Sequence, residues 1–261
     1  MPVKNLSAAL AVLIFLFAFH ASAEDAWDCD YTPRTPAEIS GDWEYIVLPD
    51  CTAEITYYND RQVDVLEIPS QLDGYTVTGI GKDAISCYYE LTSVTIPDSV
   101  TVIGDWAFWS CYSLISVNIP DSVTDIGERA FSECESLESV TIPNSVTVIN
   151  ESAFLGCDSL ESISIPESVT DIGDSAFRYC EGLTSVTIPG SVTSIGEKVF
   201  ANCENLTSIT IPGSVISIGE KAFDMYFDRS DQLVFTVEAG SYAEEYCKDN
   251  GFTYQYPGAD R

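Results

Sequence analysis

Histidine is nearly absent from this chain of 261 residues: the single one, His20, lies within an apolar N-terminal stretch. Its scarcity excludes Ser-His-Asp and Cys-His nucleophile relays and His-ligated zinc downstream of that stretch. Basic side chains are few as well, 11 Lys and Arg against 41 Asp and Glu, for a net charge of −30. Nucleic acid and anionic lipid both call for clusters of Lys and Arg, so neither is expected as a partner. Beyond the first 23 residues no apolar run approaches the about 20 residues that a membrane-spanning helix needs, so no membrane insertion is expected. What is present argues for a packed protein. A hydrophobic fraction of 46% is far above that of a disordered chain, so the acid must coat a core.

The N-terminal stretch reads as a leader. Lys4 supplies a positive region, Leu6 to Phe19 an apolar one, and Ala21-Ser22-Ala23 a small-residue cleavage site. Residues 1–23 are therefore expected to be a signal peptide, and the protein to be secreted or held at the cell surface. Tyr254 to Arg261 offers no hydrophobic tail of the kind a lipid-anchor signal needs.

The dominant pattern is a 23-residue period marked by Ile-Pro, at Pro97, Pro120, Pro143, Pro166, Pro189 and Pro212. An older copy ends at Ile68-Pro69, where an insertion stretches the spacing to 28. A period of about 20–29 residues marks a leucine-rich-repeat solenoid, whose rungs bury their apolar faces only by stacking. Numbering each unit from its leucine (Leu91, Leu114, Leu137, Leu160, Leu183, Leu206), position 4 is Val or Ile and position 6 is Ile. That alternation predicts a short strand with inward side chains, ended at a corner by the proline. Position 14 is Gly except at Asn150, which predicts a left-handed corner. Position 15 is always acidic, and the Ala-Phe that follows predicts one helical turn. The expected architecture is a β-rich repeat solenoid of parallel rungs with two end caps. Residues 24–62 are read as lead-in and N-terminal β cap, 63–227 as the solenoid, and 228–261 as a strand-helix-strand C-terminal cap. The helix is predicted over Tyr242 to Asn250.

The unit L-x-S-[VI]-x-I-P-x-S-V-x-x-I-G-[DE]-x-A-F-x-x-C resembles the BspA-like class of bacterial and protist leucine-rich repeats, over roughly Val63 to Tyr226. Ala239 to Tyr246 resembles that family's terminal rung. The resemblance implies a secreted or surface protein that adheres to matrix proteins, other microbes or glycans, and it carries no shared catalytic residue.

Several columns invite chemistry. Cys111, Cys134, Cys157, Cys180 and Cys203 recur at the repeat spacing, with Tyr88 and Tyr226 in the same slot at either end. Parallel side chains in a file point the same way, so buried free thiols are expected rather than disulfides or a metal site. Cys29 and Cys51 lie outside the file, and a Cys29–Cys51 bridge is the expected disulfide. The position-15 acids are expected to offset a helix dipole, since glycoside hydrolysis needs one distinguished carboxylate pair and not six equivalent ones. The position-9 serines are expected to form a hydroxyl ladder satisfying backbone groups. Asn150-Glu-Ser and Asn205-Leu-Thr match the glycosylation tripeptide.

The candidate ligand face is the exposed side of the first strand: Ser93, Thr95, Ser116, Asn118, Ser139, Thr141, Ser162, Ser164, Ser185, Thr187, Ser208 and Thr210. A second candidate is an aromatic patch on the first rungs, Tyr88, Tyr89, Trp106, Trp109 and Tyr112. The expected function is a non-enzymatic, adhesin-like binding protein, monomeric, taking an extracellular protein or glycan and needing no cofactor or metal. The alternatives are a self-assembling surface protein and, further off, a carboxylate-based glycoside hydrolase.

Overall fold

A computed structural model describes residues 37–225 and 232–258. The expected leader, Cys29 and Tyr226 fall outside them. Three strands come first: β1 (Glu38–Ser40), β2 (Trp43–Val47) and β3 (Thr52–Tyr58), paired antiparallel in sequence. Then come β4 (Val65–Glu67) and the hairpin β5 (Gln71–Leu72) and β6 (Tyr75–Ile80). From there each rung carries a longer and a shorter strand. The pairs are β7 (Ser93–Thr95) with β8 (Val102–Ile103), β9 (Ser116–Asn118) with β10 (Asp125–Ile126), and β11 (Ser139–Thr141) with β12 (Val148–Ile149). They continue as β13 (Ser162–Ser164) with β14 (Asp171–Ile172), β15 (Ser185–Thr187) with β16 (Ser194–Ile195), and β17 (Ser208–Ile211) with β18 (Ser217–Ile218). Last are β19 (Val234–Val237), helix α1 (Tyr242–Asn250) and β20 (Thr253–Gln255).

The longer strands stack in parallel, one repeat apart, so that Ser93, Ser116, Ser139 and Ser162 lie in one row and Ser185 and Ser208 in its continuation. β19 and β20 extend that column. The shorter strands form a second parallel column, led by β3 and β6. Between the two columns proline ends each strand as expected. Its carbonyl accepts the N–H of the valine three residues on, as in Val100 to Pro97 and Val123 to Pro120.

The third side departs from expectation. In place of a helical turn, each rung has an irregular turn in which position 16 has positive φ: Asp83, Trp106, Arg129, Ser152, Ser175, Lys198 and Lys221, at 54–61° for the six from Trp106 onward. Position 20 repeats it at Cys87, Ser110, Glu133, Gly156, Tyr179 and Asn202. Alternating handedness turns every second N–H toward the next rung. Thus Arg129, Phe131 and Glu133 donate to the carbonyls of Glu151, Ala153 and Leu155, and this recurs from rung to rung. Left-handed backbone costs a non-glycine residue about 1–2 kcal/mol, offset here by a complete inter-rung ladder.

The corner glycines are not left-handed, which corrects the reading of position 14. They are required by close approach: a Cβ on Gly127 would sit 2.5 Å from Asp105 N, and one on Gly173 2.8 Å from Glu151 N. Each glycine N–H instead closes the second column, Gly127 to the carbonyl of Ile103 and Gly173 to that of Ile149. At the exception the Asn150 side chain takes over, Nδ2 donating to the Ile126 carbonyl at 2.7 Å. That amide is engaged in the ladder rather than presented for glycosylation, and Asn205 Nδ2 likewise donates to the Glu181 carbonyl at 2.8 Å.

Inside, the phenylalanines form a spine. Phe108, Phe131, Phe154, Phe177, Phe200 and Phe223 are buried and stack nearly parallel at 5.2–5.8 Å, closed at one end by Phe235 edge-on. The cysteine file is buried and its thiols are free. Each Sγ donates to a carbonyl of the preceding rung, as Cys134 to Phe108 and Cys157 to Phe131, both at 3.3 Å. Burial pushes the Cys111 thiol up to about 12, so the file is unreactive packing. The serine ladder holds too: Ser122, Ser168 and Ser191 donate to the carbonyls of Val100, Val146 and Val169 at 2.6 Å.

Two details at the ends complete the scaffold. The hairpin turn at Asp73-Gly74 brings Asp73 to the Tyr45 hydroxyl and to Ser40, each donating to it at 2.9 Å. α1 is capped by Ser241, whose Oγ accepts the Glu244 N–H, and ends at left-handed Gly251. The Glu244 carboxylate is pulled down to about 2 by Lys248 at 2.6 Å, then by the Gly240 N–H and the Tyr256 hydroxyl. The expected Cys29–Cys51 bridge is not formed. Cys51 is an exposed free thiol at the β2–β3 turn, where its N–H donates to the Leu48 carbonyl, and among the described residues the disulfide-bonded cysteine is Cys87.

Candidate functional site

The strand face is laid out by the parallel register. Within β9, β11, β13 and β15 the central residue is buried and its two neighbours are exposed, so position-3 and position-5 side chains point outward in two files. Ser116, Asn118, Ser139, Thr141, Ser162, Ser164, Ser185, Thr187 and Ser208 are exposed, as is Thr95, while Ser93 and Thr210 are half-buried. Adjacent parallel strands lie about 4.8 Å apart, so the hydroxyls and the one amide repeat at that pitch on a rigid base.

The aromatic candidates divide. Tyr88 is fully buried, which removes it from any surface patch; it occupies the cysteine slot of its rung, and its hydroxyl donates to the Tyr58 carbonyl. Tyr89 and Tyr112 are exposed and stack at 5.3 Å with their planes 11° apart. Trp106 and Trp109 are half-buried and meet edge-on at 5.5 Å, with the Arg129 guanidinium 4.8 Å from the Trp106 ring.

The position-15 acids serve the turn rather than a helix. Asp105 Oδ1 accepts the Glu128 N–H at 3.0 Å, and Asp174 Oδ1 that of Glu197 at 2.7 Å, each from the next rung. No group of three potential metal ligands is gathered among the described residues. A cleft of about 440 Å³ lies between Ile218–Lys221 and α1, walled by Tyr242, Glu245, Tyr246 and Asp249. It holds no nucleophile paired with a base.

Position 22 carries a feature the sequence reading passed over. Tyr89 and Tyr112 head a file that continues as Glu135, Asp158, Glu181 and Glu204. Its backbone is tied from rung to rung, the Ser159 N–H donating to the Glu135 carbonyl at 3.0 Å and the Gly182 N–H to that of Asp158 at 2.7 Å. The Asp158 carboxyl is pushed up to about 7 by lost hydration, then by the charges of Glu181, Glu135 and Glu133. The signal was in the repeat alignment, where one column changes from Tyr to acid. A raised carboxyl pKa favours the folded state's protonated form, so its cost to stability is full above pH 7, shrinks as pH falls and vanishes near 4. Asp158 loses only part of its hydration and keeps part of its surface in solvent, so screening reduces that cost to about 1 kcal/mol. Asp158→Asn should therefore raise Tm by about 2–4 °C at pH 8 and leave it unchanged at pH 4. An equal shift at both pH values in thermal melts would show that the charge is not responsible.

Comparison with known proteins agrees with this architecture. The sequence profile described as "BspA type Leucine rich repeat region (6 copies)" matches residues 53–182 and 105–228, well over half of the chain. A leucine-rich repeat protein of T. pallidum is 27% identical with a TM-score of 0.66, over 84% of this chain and 97% of its own. A leucine rich cell surface protein from Faecalibacterium prausnitzii is 28% identical with a TM-score of 0.47, over 76% of this chain and 77% of its own. No curated protein matches the sequence. With its repeats, their register and this profile in agreement, the chain belongs to the BspA-type leucine-rich-repeat family.

Proposed function

We propose that this protein is a secreted or cell-surface binding protein, non-enzymatic and adhesin-like, that takes an extracellular protein or glycan on its repeat array. The observation that carries this is the strand face: two files of outward hydroxyl and amide groups held at rung pitch by parallel, in-register strands. Such groups lose little freedom on binding, so their hydrogen bonds to a ligand are not offset by ordering costs. A flat array of this kind suits an extended ligand, a glycan chain or a β-segment, better than a small molecule needing a deep pocket. The N-terminal leader pattern supports export, and among the described residues no helix is long and apolar enough to cross a membrane.

The test is binding of the purified protein to a panel of matrix proteins and glycans, beside a variant carrying Thr141→Arg and Thr187→Arg. Both residues are exposed at position 5, two rungs apart, so two arginines obstruct the face without entering the core. Saturable binding lost in the variant is expected. Binding that survives it would move the ligand off the strand face, and no binding to any member would count against the adhesin reading.

A further inference from the structure

The position-22 file has two unlike halves on one surface. At its head Tyr89 and Tyr112 are 46% and 39% exposed and stacked, and Ile115, three residues on, is 45% exposed. Other rungs place Thr92, Glu138, Glu161, Thr184 or Thr207 where Ile115 stands, so this apolar side chain is not a demand of the repeat. Beyond the head run Glu135, Asp158 and Glu181, the outer two close enough for their charges to act on Asp158 between them.

No Lys or Arg occupies positions 22, 23, 2, 3 or 5 of any rung from Tyr89 to Thr210. Two ion pairs, Lys221 with Glu220 and Lys248 with Glu244, lie elsewhere. Exposed apolar side chains clustered beside unmatched like charges mark an interaction surface rather than an ordinary solvated one. The head supplies aromatic contact area and the tail supplies charge that a cation would relieve.

We propose that this strip is a docking surface for a cationic protein segment, with an aromatic or apolar anchor on Tyr89, Tyr112 and Ile115 and lysines or arginines along Glu135, Asp158 and Glu181. The proposal rests on the binding-protein reading but not on the strand face. A segment lying along the solenoid axis meets one carboxylate about every 5 Å, and Lys and Arg side chains are long enough to match that pitch from an extended chain. Exposed ion pairs are individually weak, so specificity needs the anchor as well as the charge.

The probe is a fluorescein-labelled peptide with a central tryptophan flanked on both sides by lysines, followed by anisotropy at near-physiological salt. Its counterpart with glutamine for every lysine is the charge control. Because net charge alone attracts any polycation, two triple variants of equal charge are compared. Glu135→Gln/Asp158→Asn/Glu181→Gln should weaken the lysine peptide about tenfold. Glu128→Gln/Glu151→Gln/Glu197→Gln, on the corner column, should change affinity less than about twofold. Tyr112→Ser should cost about fivefold for the tryptophan peptide and nothing for a version with serine in its place. Equal weakening by both triple variants would reduce the effect to diffuse attraction and overturn the proposal, as would equal affinity for the glutamine peptide or no binding at all. Peptide binding retained alongside failure of the ligand panel would sink the strand face alone.

Discussion

Gly127→Ala should destabilise the protein by about 2–4 kcal/mol, and Gly190→Ala by less than about 0.5. Both replace a glycine without positive φ, so intrinsic backbone preference separates them little. The space does. A Cβ at Gly127 would lie 2.5 Å from Asp105 N, 2.6 Å from Asp105 Oδ1 and 2.6 Å from Gly104 C, two of them backbone atoms of the rung beneath. They cannot rotate away, so the rungs must part and the 2.8 Å bond from Gly127 N to the Ile103 carbonyl is lost with them. At Gly190 the nearest neighbour is the end of a flexible side chain, Glu167 Oε2 at 3.9 Å. Urea denaturation of the two variants tests this, and similar midpoints would refute the account of the corner glycines as spacers.

That example shows what was legible in the sequence and what was not. The period says which residues lie above one another, so the strand columns, the phenylalanine spine, the thiol file and the serine ladder could all be read from it. Each rests on a side chain repeating in a fixed direction. Position 14 was read as special for the right residue and the wrong reason: glycine marks both positive φ and close approach, and only coordinates distinguish them. The true left-handed sites carry Trp106, Arg129, Ser175 and Lys198, residue types with no preference for that region, because the inter-rung hydrogen bonds impose it. The β5–β6 hairpin was legible but unread, since Asp73-Gly74 is a strong two-residue turn signal. Cysteine connectivity is a property of the folded path, and nothing near Cys87 distinguished it from Cys51. At the candidate site the strand files followed from alternation, whereas the Tyr-to-acid column was hidden because it varies. A repeat reading attends to what recurs, and so passes over a column whose residue type changes along the solenoid.

Phe154→Ala should cost about 3–5 kcal/mol, the range for removing a buried ring that its surroundings cannot refill. Phe154 is 1% exposed and lies between Phe131 at 5.6 Å and Phe177 at 5.5 Å, each nearly parallel to it. Those neighbours are fixed by their own backbone ladder, Phe131 N–H donating to the Ala153 carbonyl and Phe177 N–H to that of Val199. Collapse into the cavity would therefore break the ladder that holds the turn. In a solenoid, stability is a sum of rung and nearest-neighbour terms, so weakening one central interface also uncouples the two halves. The expected signature is a lower and broader thermal transition, resolving into two, with Phe154→Leu recovering most of the loss. Phe223→Ala should lower stability without splitting the transition, because Phe223 stacks on Phe200 at one side only and meets Phe235 edge-on at the other. A single sharp transition for Phe154→Ala, displaced by less than about 1 kcal/mol, would show that the strand columns alone carry the coupling between rungs. The spine also sets the rung spacing on which both the strand face and the position-22 file depend, so the same variant should lose ligand and cationic peptide together at temperatures where its halves have come apart.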